Sequence, residues 1–321
     1  MSDTNSNKQD TWNHTTPVIF SPLFDWPPNF KGAFLTLTKR WVTLSRNVLF
    51  LLLAWLVYSQ LIPEVAAMKT LQLGWVGAVL LRNYMLMTVI AGGLHLYLFT
   101  YRRQGKQLKY DHREQLEKSG KFSFRNQVWD NMFWTLVSGT TIWSLYEILY
   151  FWGVANGVIP TVNFADHWVA FVLWLLAIPV LTSSHFYFIH RLLHWPPLYK
   201  TVHRLHHRNI HIGPWSGLSM HPVEHVFYMS SVLIHFVIAS HPLIFLTHLF
   251  SRCLGPTFSH AGFEKVIVGR TQVVDAADFH HQLHHRFFEC NYGTVDAPWD
   301  SWFSTYHDGS DEATAAMKKS K

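Results

Sequence analysis

HFYFIHRLLHWPPLYKTVHRLHH, residues 185–207, is the stretch from which the fold and chemistry of this chain can be predicted most directly. It contains His190 and His194 four positions apart, followed by His203, His206 and His207 at offsets of zero, three and four. Residues with these spacings share one face of a helix. The stretch therefore predicts short helices that each direct several imidazoles the same way.

Two later segments, HPVEH at 221–225 and HQLHH at 281–285, repeat these spacings. The four motifs together contain ten imidazoles: His190, His194, His203, His206, His207, His221, His225, His281, His284 and His285. One tetrahedral zinc ion takes only about four ligands, and neutral imidazole binds Zn, Cu, Fe and Ni. The simplest prediction is that two metal ions share the ten histidines.

Histidines that merely satisfy hydrogen bonds in a core are the competing explanation. That explanation suits isolated histidines such as His95, His112, His167 and His307. For the clustered motifs it would require each of ten imidazoles to find its own partner, at about 1–3 kcal/mol for each one left unpaired. Metal binding is therefore the prediction for the motifs.

The composition is that of a membrane protein with a large polar part. The chain of 321 residues is 49% hydrophobic and 14% charged, whereas soluble proteins carry about 25% charged residues. Its mean hydropathy is +0.07. The net charge of +6 comes from basic residues that flank apolar runs, so it predicts membrane topology and no nucleic-acid partner. Cys253 and Cys290 are too few for a disulfide framework and suggest a reducing compartment.

Four apolar runs, at about 41–62, 71–101, 128–154 and 168–189, are long enough to span a bilayer. Arg82 could lie near the outer interface or face other helices, and Glu147 is either functional or hydrogen-bonded to a neighbouring helix. The basic linker after the second run predicts a cytoplasmic N-terminus. The fourth run then ends on the cytoplasmic side at His190, which predicts an active site at the cytoplasmic membrane surface.

The predicted fold is all-α: a multi-pass integral membrane protein with about four transmembrane helices and a cytoplasmic, histidine-rich, helical metal-binding domain. The predicted order is an N-terminal segment at 1–40, a transmembrane hairpin at 41–101, a cytoplasmic linker at 102–127, a second transmembrane hairpin at 128–189, the histidine-rich catalytic domain at 190–309 and a flexible tail at 310–321.

Three segments carry more specific predictions. Residues 1–15 are polar and predicted to be disordered. Residues 17–30 alternate prolines with aromatics, which favours either a position on the membrane surface or packing on the domain. Residues 226–250 are apolar but interrupted, and each half is too short to span. They predict an interfacial hairpin that forms a lid or substrate entrance, with plain hydrophobic packing as the alternative.

The chemistry of the histidines leaves the metal open. Neutral ligands leave net positive charge on a metal, and open positions could bind oxygen, so an all-imidazole pair suits redox work. Imidazole serves zinc equally well. The sequence contains no G-x-S-x-G, Walker, nicotinamide-binding or HExxH motif.

The order of the motifs resembles the fatty acid hydroxylase and sterol desaturase superfamily over about residues 171–309. The segments that carry the resemblance are HRLLH at 190–194, HRLHH at 203–207, HPVEH at 221–225, HAGF at 260–263, and HQLHH at 281–285 followed by NYG and WD. The resemblance implies a membrane oxygenase that uses two iron ions, O2 and two external electrons to hydroxylate or desaturate an unactivated C–H bond of a lipid.

The resemblance also implies roles for individual residues. The ten histidines would hold the metals, with His260 as a further ligand or supporting residue and His185 as a possible ligand. Asn291, Tyr292, Trp299 and Asp300 would hold the last motif in place. The absence of a ferredoxin-type cysteine set implies a separate electron donor, a cytochrome b5-like protein, a ferredoxin or a reductase, docking on the basic cytoplasmic face.

Two other functions remain possible from the sequence. A zinc-dependent membrane hydrolase could use the same histidines, and it would act without oxygen or reductant. A metal transporter or sensor would be expected to carry ionisable residues along several spans, whereas these histidines gather at one end. The sequence alone does not distinguish a sterol from a fatty acyl substrate.

Overall fold

The computed structural model describes residues 16–269, 271–276 and 278–319, and these are mainly helical. The main helices are α1 (Phe30–Trp41), α2 (Arg46–Leu61), α3 (Leu73–Thr100), α4 (127–155), α5 (Phe164–Leu193), α6 (196–207), α7 (Pro222–Met229), α8 (Pro242–Ser259), α9 (Phe279–Phe287) and α10 (Asp311–Lys319). One hairpin pairs β1 (Lys265–Val268) with β2 (Thr271–Asp275). The predicted all-α fold is confirmed.

The helices begin where the sequence offers a cap. The side chains of Ser45, Asn163 and Asp278 accept hydrogen bonds from the first-turn backbone N–H groups of α2, α5 and α9. Proline occupies the first turn of α6, α7 and α8, where its missing N–H costs nothing. These signals set the starts of the helices that carry the clustered histidines.

Helices α3 and α5 are long and apolar enough to cross a membrane, and α1 with α2 makes a third candidate if this pair, bent by 40°, is one span. They identify an integral membrane protein. The number of candidate spans in the described residues is thus two or three, where the sequence predicted about four. The remaining predicted span is α4, which is helical throughout but carries buried polar residues such as Asp130 and Asn131, because one of its faces packs on protein.

Arg82 on α3 and Glu147 on α4 form an ion pair between these two helices. The Arg82 guanidinium pairs with the Glu147 carboxylate, which is fully buried. Asn83 donates to Glu147 Oε2 at 3.0 Å and to Ser144 Oγ at 3.1 Å. Of the alternatives predicted for Arg82 and Glu147, the structure shows the one in which each side chain contacts a neighbouring helix.

Helix α8 lies in the centre of the core. Thirteen of its 18 residues are buried. Phe245 stacks on Tyr150 with ring centroids 3.6 Å apart, and Phe250 meets Trp143 edge-on at 5.5 Å. The second half of the predicted 226–250 hairpin is therefore a core helix and not an interfacial one. This half of the segment agrees with the alternative of plain hydrophobic packing, because a buried helix is apolar on every side, as a membrane-inserted one is.

The linker and both ends of the described chain pack on the histidine-rich region. The backbone N–H of Tyr110, in the linker, donates to Gly262 O at 2.9 Å, and Gln127 Nε2 donates to His211 O at 2.7 Å. Val18 N donates to Asp308 O at 2.9 Å. Part of residues 17–30 thus packs on the domain, in line with the second alternative, whereas Trp26 and Phe30 are exposed. Residues 1–15 lie outside the described part.

The C-terminal segment is helical in the structure, whereas the sequence predicted a flexible tail. Helix α10 has Asp311 and Glu312 in its first turn. Acidic residues there interact favourably with the positive end of the helix dipole. This local preference explains why the segment forms a helix although it lies at the end of the chain.

Candidate metal centre

Nine histidines form two adjacent groups. Cluster A contains five of them, and cluster B contains four; in each, the candidate ligand atoms all lie within 4.8 Å of one another. The members of cluster A are His190, His194, His203, His207 and His284, and those of cluster B are His206, His260, His281 and His285.

The helical spacing divides the motifs between the clusters. On α6, His203 and His207 are one turn apart and both belong to cluster A, whereas His206 belongs to cluster B. On α9, His281 and His285 are one turn apart in cluster B, and His284 belongs to cluster A. Each of these two helices therefore serves both clusters, because its three histidines lie on adjoining faces.

The spacing between ring nitrogens fits metal coordination. In cluster A the Nε2 atoms of His190 and His203 are 3.1 Å apart, as are those of His194 and His207. Two nitrogens bound at right angles about 2.1 Å from one ion lie about 3.0 Å from each other. The separations in cluster A are those expected of imidazoles sharing an ion.

The geometry of cluster B suits a bound cation better than it suits hydrogen bonds alone. The Nε2 atoms of His260, His281 and His285 form a triangle with sides of 3.1, 3.1 and 3.2 Å. His260 Nδ1 lies 3.0 Å from Pro256 O, to which it can donate its single proton, leaving a lone pair on Nε2. A proton on one Nε2 atom can serve only one neighbouring lone pair, so hydrogen bonds cannot satisfy all three nitrogens, whereas a cation between them would accept every lone pair.

Acceptors on the far side of several rings determine which nitrogen faces the cluster. His190 Nδ1 lies 2.7 Å from Tyr292 O, His284 Nδ1 lies 2.5 Å from Cys290 O, and His203 Nδ1 lies 2.7 Å from Glu224 Oε1. An Nδ1–H that donates outward leaves Nε2 free to bind a metal. These contacts prepare the rings for coordination.

Burial keeps the clustered imidazoles neutral. Desolvation lowers the pKa of His206 to about 4 and that of His203 and His207 well below 6.5, and neighbouring histidines add to the effect for the latter two. Burial also raises the pKa of the Glu224 carboxyl. A bound cation would oppose this rise, since an opposite charge favours the ionised carboxylate. Neutral imidazole is the form that binds metals.

Two of the ten predicted ligands, His221 and His225, lie outside both clusters. His221 is the residue that caps α7, and its Nδ1 accepts from Val223 N at 3.2 Å. His225 is fully buried, with Nδ1 2.9 Å from Ser138 Oγ and Nε2 3.0 Å from Leu218 O. Both nitrogens of His225 are thus engaged, and hydrogen bonding accounts for this histidine without a metal.

Of the two further possible ligands, one lies in a cluster and the other lies outside both. His260 joins cluster B. His185 lies outside both clusters, with Nε2 2.9 Å from Ser230 Oγ. The proline after His221 was the available signal that this residue begins a helix, and the acidic residue within HPVEH was the signal for the Glu224 contact, which sequence reasoning missed.

Residues after the last motif hold α9 in place. Asp300 accepts from the backbone N–H groups of Tyr292 and Gly293, both at 2.8 Å. Asn291 donates to His280 O on α9 at 3.1 Å, and Trp299 donates to Ser184 Oγ on α5 at 2.9 Å. The loop thereby connects α5 and α9, two of the three helices that contribute histidines to cluster A.

A cavity of about 820 Å³ reaches both clusters. His190 and His203 of cluster A and His260 and His281 of cluster B line it. The other lining residues include apolar and aromatic ones, such as Phe50, Ile178, Phe186, Met220 and Tyr228, together with charged ones such as Lys39, Arg40 and Asp278. The volume lies within the range of about 300–1,000 Å³ that is usual for small-molecule sites.

Comparison with known proteins gives consistent matches in this region. Residues 171–305, which include every histidine of both clusters, match the family described as fatty acid hydroxylase. The chain is 32% identical over 142 residues to the Delta(7)-sterol 5(6)-desaturase of Candida dubliniensis, which covers 42% of this chain and 34% of that protein. It is 33% identical over 165 residues to fatty acid hydroxylase domain-containing protein 2 of Macaca fascicularis, which covers 50% of this chain and 45% of that protein.

The chain thus covers about a third of the length of the first relative and less than half of the second. No solved structure matches it.

Proposed function

The histidine-rich region of this chain belongs to the fatty acid hydroxylase and sterol desaturase superfamily, and on this basis we propose that the protein is an O2-dependent membrane enzyme that hydroxylates or desaturates a lipid. The observation that carries the proposal is the position of two adjacent imidazole clusters beside one cavity that is lined in part by aromatic and aliphatic side chains. The clusters alone specify neither the metal nor the substrate.

The proposed ligands are the nine histidines of the two clusters. Cluster A would hold one iron ion and cluster B a second. His221, His225 and His185 are not included, because they lie outside both clusters. When bound, the iron pair would supply the redox chemistry by which O2, two electrons and two protons convert a C–H bond to C–OH and water.

The protein's own residues would bind and orient the lipid. Phe186 stacks on His190 with ring centroids 4.7 Å apart, and it faces the cavity together with Tyr228. These rings would hold the hydrocarbon beside the clusters and exclude water from the reacting carbon. A sterol-like or fatty acyl lipid suits the apolar walls, and the sterol desaturase named among the relatives supports a lipid substrate.

The active site is proposed to face the cytoplasm. Eight Lys and Arg residues lie between residues 102 and 125, which supports a cytoplasmic linker by the positive-inside rule. The linker packs on the histidine-rich region, so the two would share one side of the membrane. A separate cytochrome b5-like protein, ferredoxin or reductase would supply electrons from that side.

Metal analysis of the full chain tests the proposal. We expect about two iron ions per detergent-purified chain by elemental mass spectrometry, with fewer in His284→Ala, in cluster A, and in His206→Ala, in cluster B. His225→Gln is the matched control, because it changes a buried histidine outside both clusters and should retain iron. The iron-loaded protein should consume O2 only with a lipid and a reductant.

Two results would contradict the proposal. Folded wild-type protein that takes up no iron on reconstitution would exclude the site as described. Zinc that persists after iron reconstitution, with ester or amide hydrolysis in the absence of O2, would favour the zinc-dependent hydrolase.

A further inference from the structure

One arginine beside the cavity differs in its partners from three other shielded arginines. Those three pair with carboxylates: Arg40 with Asp296, Arg82 with Glu147 and Arg208 with Asp130. Arg252, on α8, is 3% exposed. Within residues 16–269, 271–276 and 278–319, no carboxylate forms an ion pair with it.

The contacts that Arg252 does make add no negative charge. Its Nη2 donates to Tyr228 O at 2.8 Å, and its buried Nε has no hydrogen-bond partner in the described part of the chain. The guanidinium carbon lies 3.7 Å from the ring centroid of Tyr228 and 5.7 Å from that of Phe186. Aromatic faces stabilise a cation, but a buried charge without an opposite charge remains costly.

The other titratable neighbours do not compensate this charge. Arg252 interacts electrostatically with His185 and His248, and an imidazole is neutral or positive. Four of the five cavity-lining carboxylates have identified partners: Asp296 pairs with Arg40, Asp275 with Lys39, Glu224 lies against His203, and Asp278 accepts from His280 N. The guanidinium is therefore available to an anion that enters the cavity.

The position of Arg252 connects it to the metal clusters. Arg252, Tyr228 and Phe186 all line the cavity. Phe186 also stacks on His190 of cluster A, with ring centroids 4.7 Å apart. One aromatic side chain thus lies against both the guanidinium and a proposed iron ligand.

We propose that Arg252 binds an oxyanion at the head of a single-chain lipid, a carboxylate or a phosphate, whose adjoining hydrocarbon passes Phe186 towards cluster A. A guanidinium suits both groups because its N–H donors match their paired oxygens. This inference rests on the proposed function in taking the cavity as the lipid site. It favours an anionic lipid over a neutral sterol. It also predicts that the oxidised carbon is separated from the head group by only a short alkyl segment.

Binding to the iron-loaded full chain in phosphatidylcholine nanodiscs tests the proposal without turnover. Tritiated oleate is displaced by unlabelled oleate, oleyl phosphate, oleyl alcohol or methyl oleate at a pH where the acid is ionised. We expect the anionic lipids to compete about tenfold or more better than the neutral ones. The better of the two anions identifies the head group.

Three variants test whether Arg252 causes the preference for anionic over neutral lipids. Arg252→Gln should lose most of the preference for the anions, Arg252→Lys should retain part of it, and Arg103→Gln, at an exposed arginine, should leave it unchanged. A wild-type protein with no preference, or a full preference in folded Arg252→Gln, would overturn the proposal.

A second measurement applies even if Arg252→Gln does not fold. Oleate with a photoreactive diazirine near its carboxylate should label wild-type peptides that contain Phe186 or Tyr228. Labelling confined to peptides that contain Lys39 and Arg40, whose cationic side chains also line the cavity, would overturn the proposal. Failure of the two proposals is distinguishable. Iron and lipid oxidation without anion preference contradicts the role of Arg252 alone, whereas anion preference without iron contradicts the oxygenase.

Discussion

Glu224 Oε1 lies 2.7 Å from Nδ1 of His203, and both side chains are almost fully buried. The carboxyl group is thus directed at the one nitrogen of His203 that faces away from cluster A. A carboxylate in this position orients a metal-binding imidazole and increases its basicity. The HPVEH motif contributes to cluster A through its acidic residue, and its two histidines lie elsewhere.

Glu224→Gln should weaken iron binding without removing a ligand. The amide retains the shape of the side chain but not the charge, so we expect roughly a 10- to 100-fold loss of iron affinity. Iron retention against a competing chelator measures the change. Glu117→Gln, at an exposed glutamate, is the control. Unchanged retention in folded Glu224→Gln would show that the carboxyl has no role in the metal site.

The metal-free protein should lose stability as the pH falls below about 6.5. The folded-state pKa of His206 is about 4, below the value of 6.5 for an unperturbed histidine, because burial disfavours the charged form. Between these values the unfolded chain binds more protons, so the stability is complete above pH 6.5 and decreases towards pH 4.

Thermal unfolding in detergent over this pH range would measure the loss. Iron-loaded protein should unfold at a higher temperature near neutral pH and lose that advantage on acidification, because protons compete for the ligand nitrogens. A midpoint that does not change between about pH 7 and pH 5 in the metal-free protein would contradict the linkage.

Gly217→Ala should destabilise the fold. A Cβ at this position would overlap the backbone carbonyl of Pro256 on α8, which cannot rotate away as a side chain would. Overpacking of this kind costs about 1–3 kcal/mol of unfolding free energy. Gly74→Ala is the matched control, since a Cβ there meets nothing within 4 Å and the residue lies in a helix. Equal unfolding midpoints for the two variants would argue against the close approach.

The Arg82–Glu147 pair should show strong coupling. Arg82→Met alone would leave the buried Glu147 without its counter-charge, which typically costs about 3–5 kcal/mol. The double variant Arg82→Met/Glu147→Leu removes both charges and should recover most of that loss. Unfolding midpoints of the single and double variants form a double-mutant cycle. Additive effects would mean that the two charges do not interact.

Local sequence patterns were sufficient to predict that the chain is helical, inserts in a membrane and is rich in histidines with the spacing of metal ligands. Helical periodicity is a local property, so spacings of three and four residues predicted the shared faces of α6 and α9 before any tertiary contact was known. The same spacings predicted eight of the nine clustered histidines. The loop role of Asn291 and Asp300 also followed from the resemblance, and the structure confirms it.

Only the tertiary structure decided which histidines meet. His221 and His225 have the same spacing as His190 and His194, but they lie at the start of α7 and within it, outside both clusters. His221 Nδ1 contacts the α7 backbone, and the two nitrogens of His225 contact Ser138 and Leu218. Spacing specifies a face of one helix, whereas membership of a cluster depends on how several helices pack. The burial of α8, the isolation of Arg252 from every described carboxylate and the number of candidate spans have the same origin, because each depends on contacts between residues far apart in the chain.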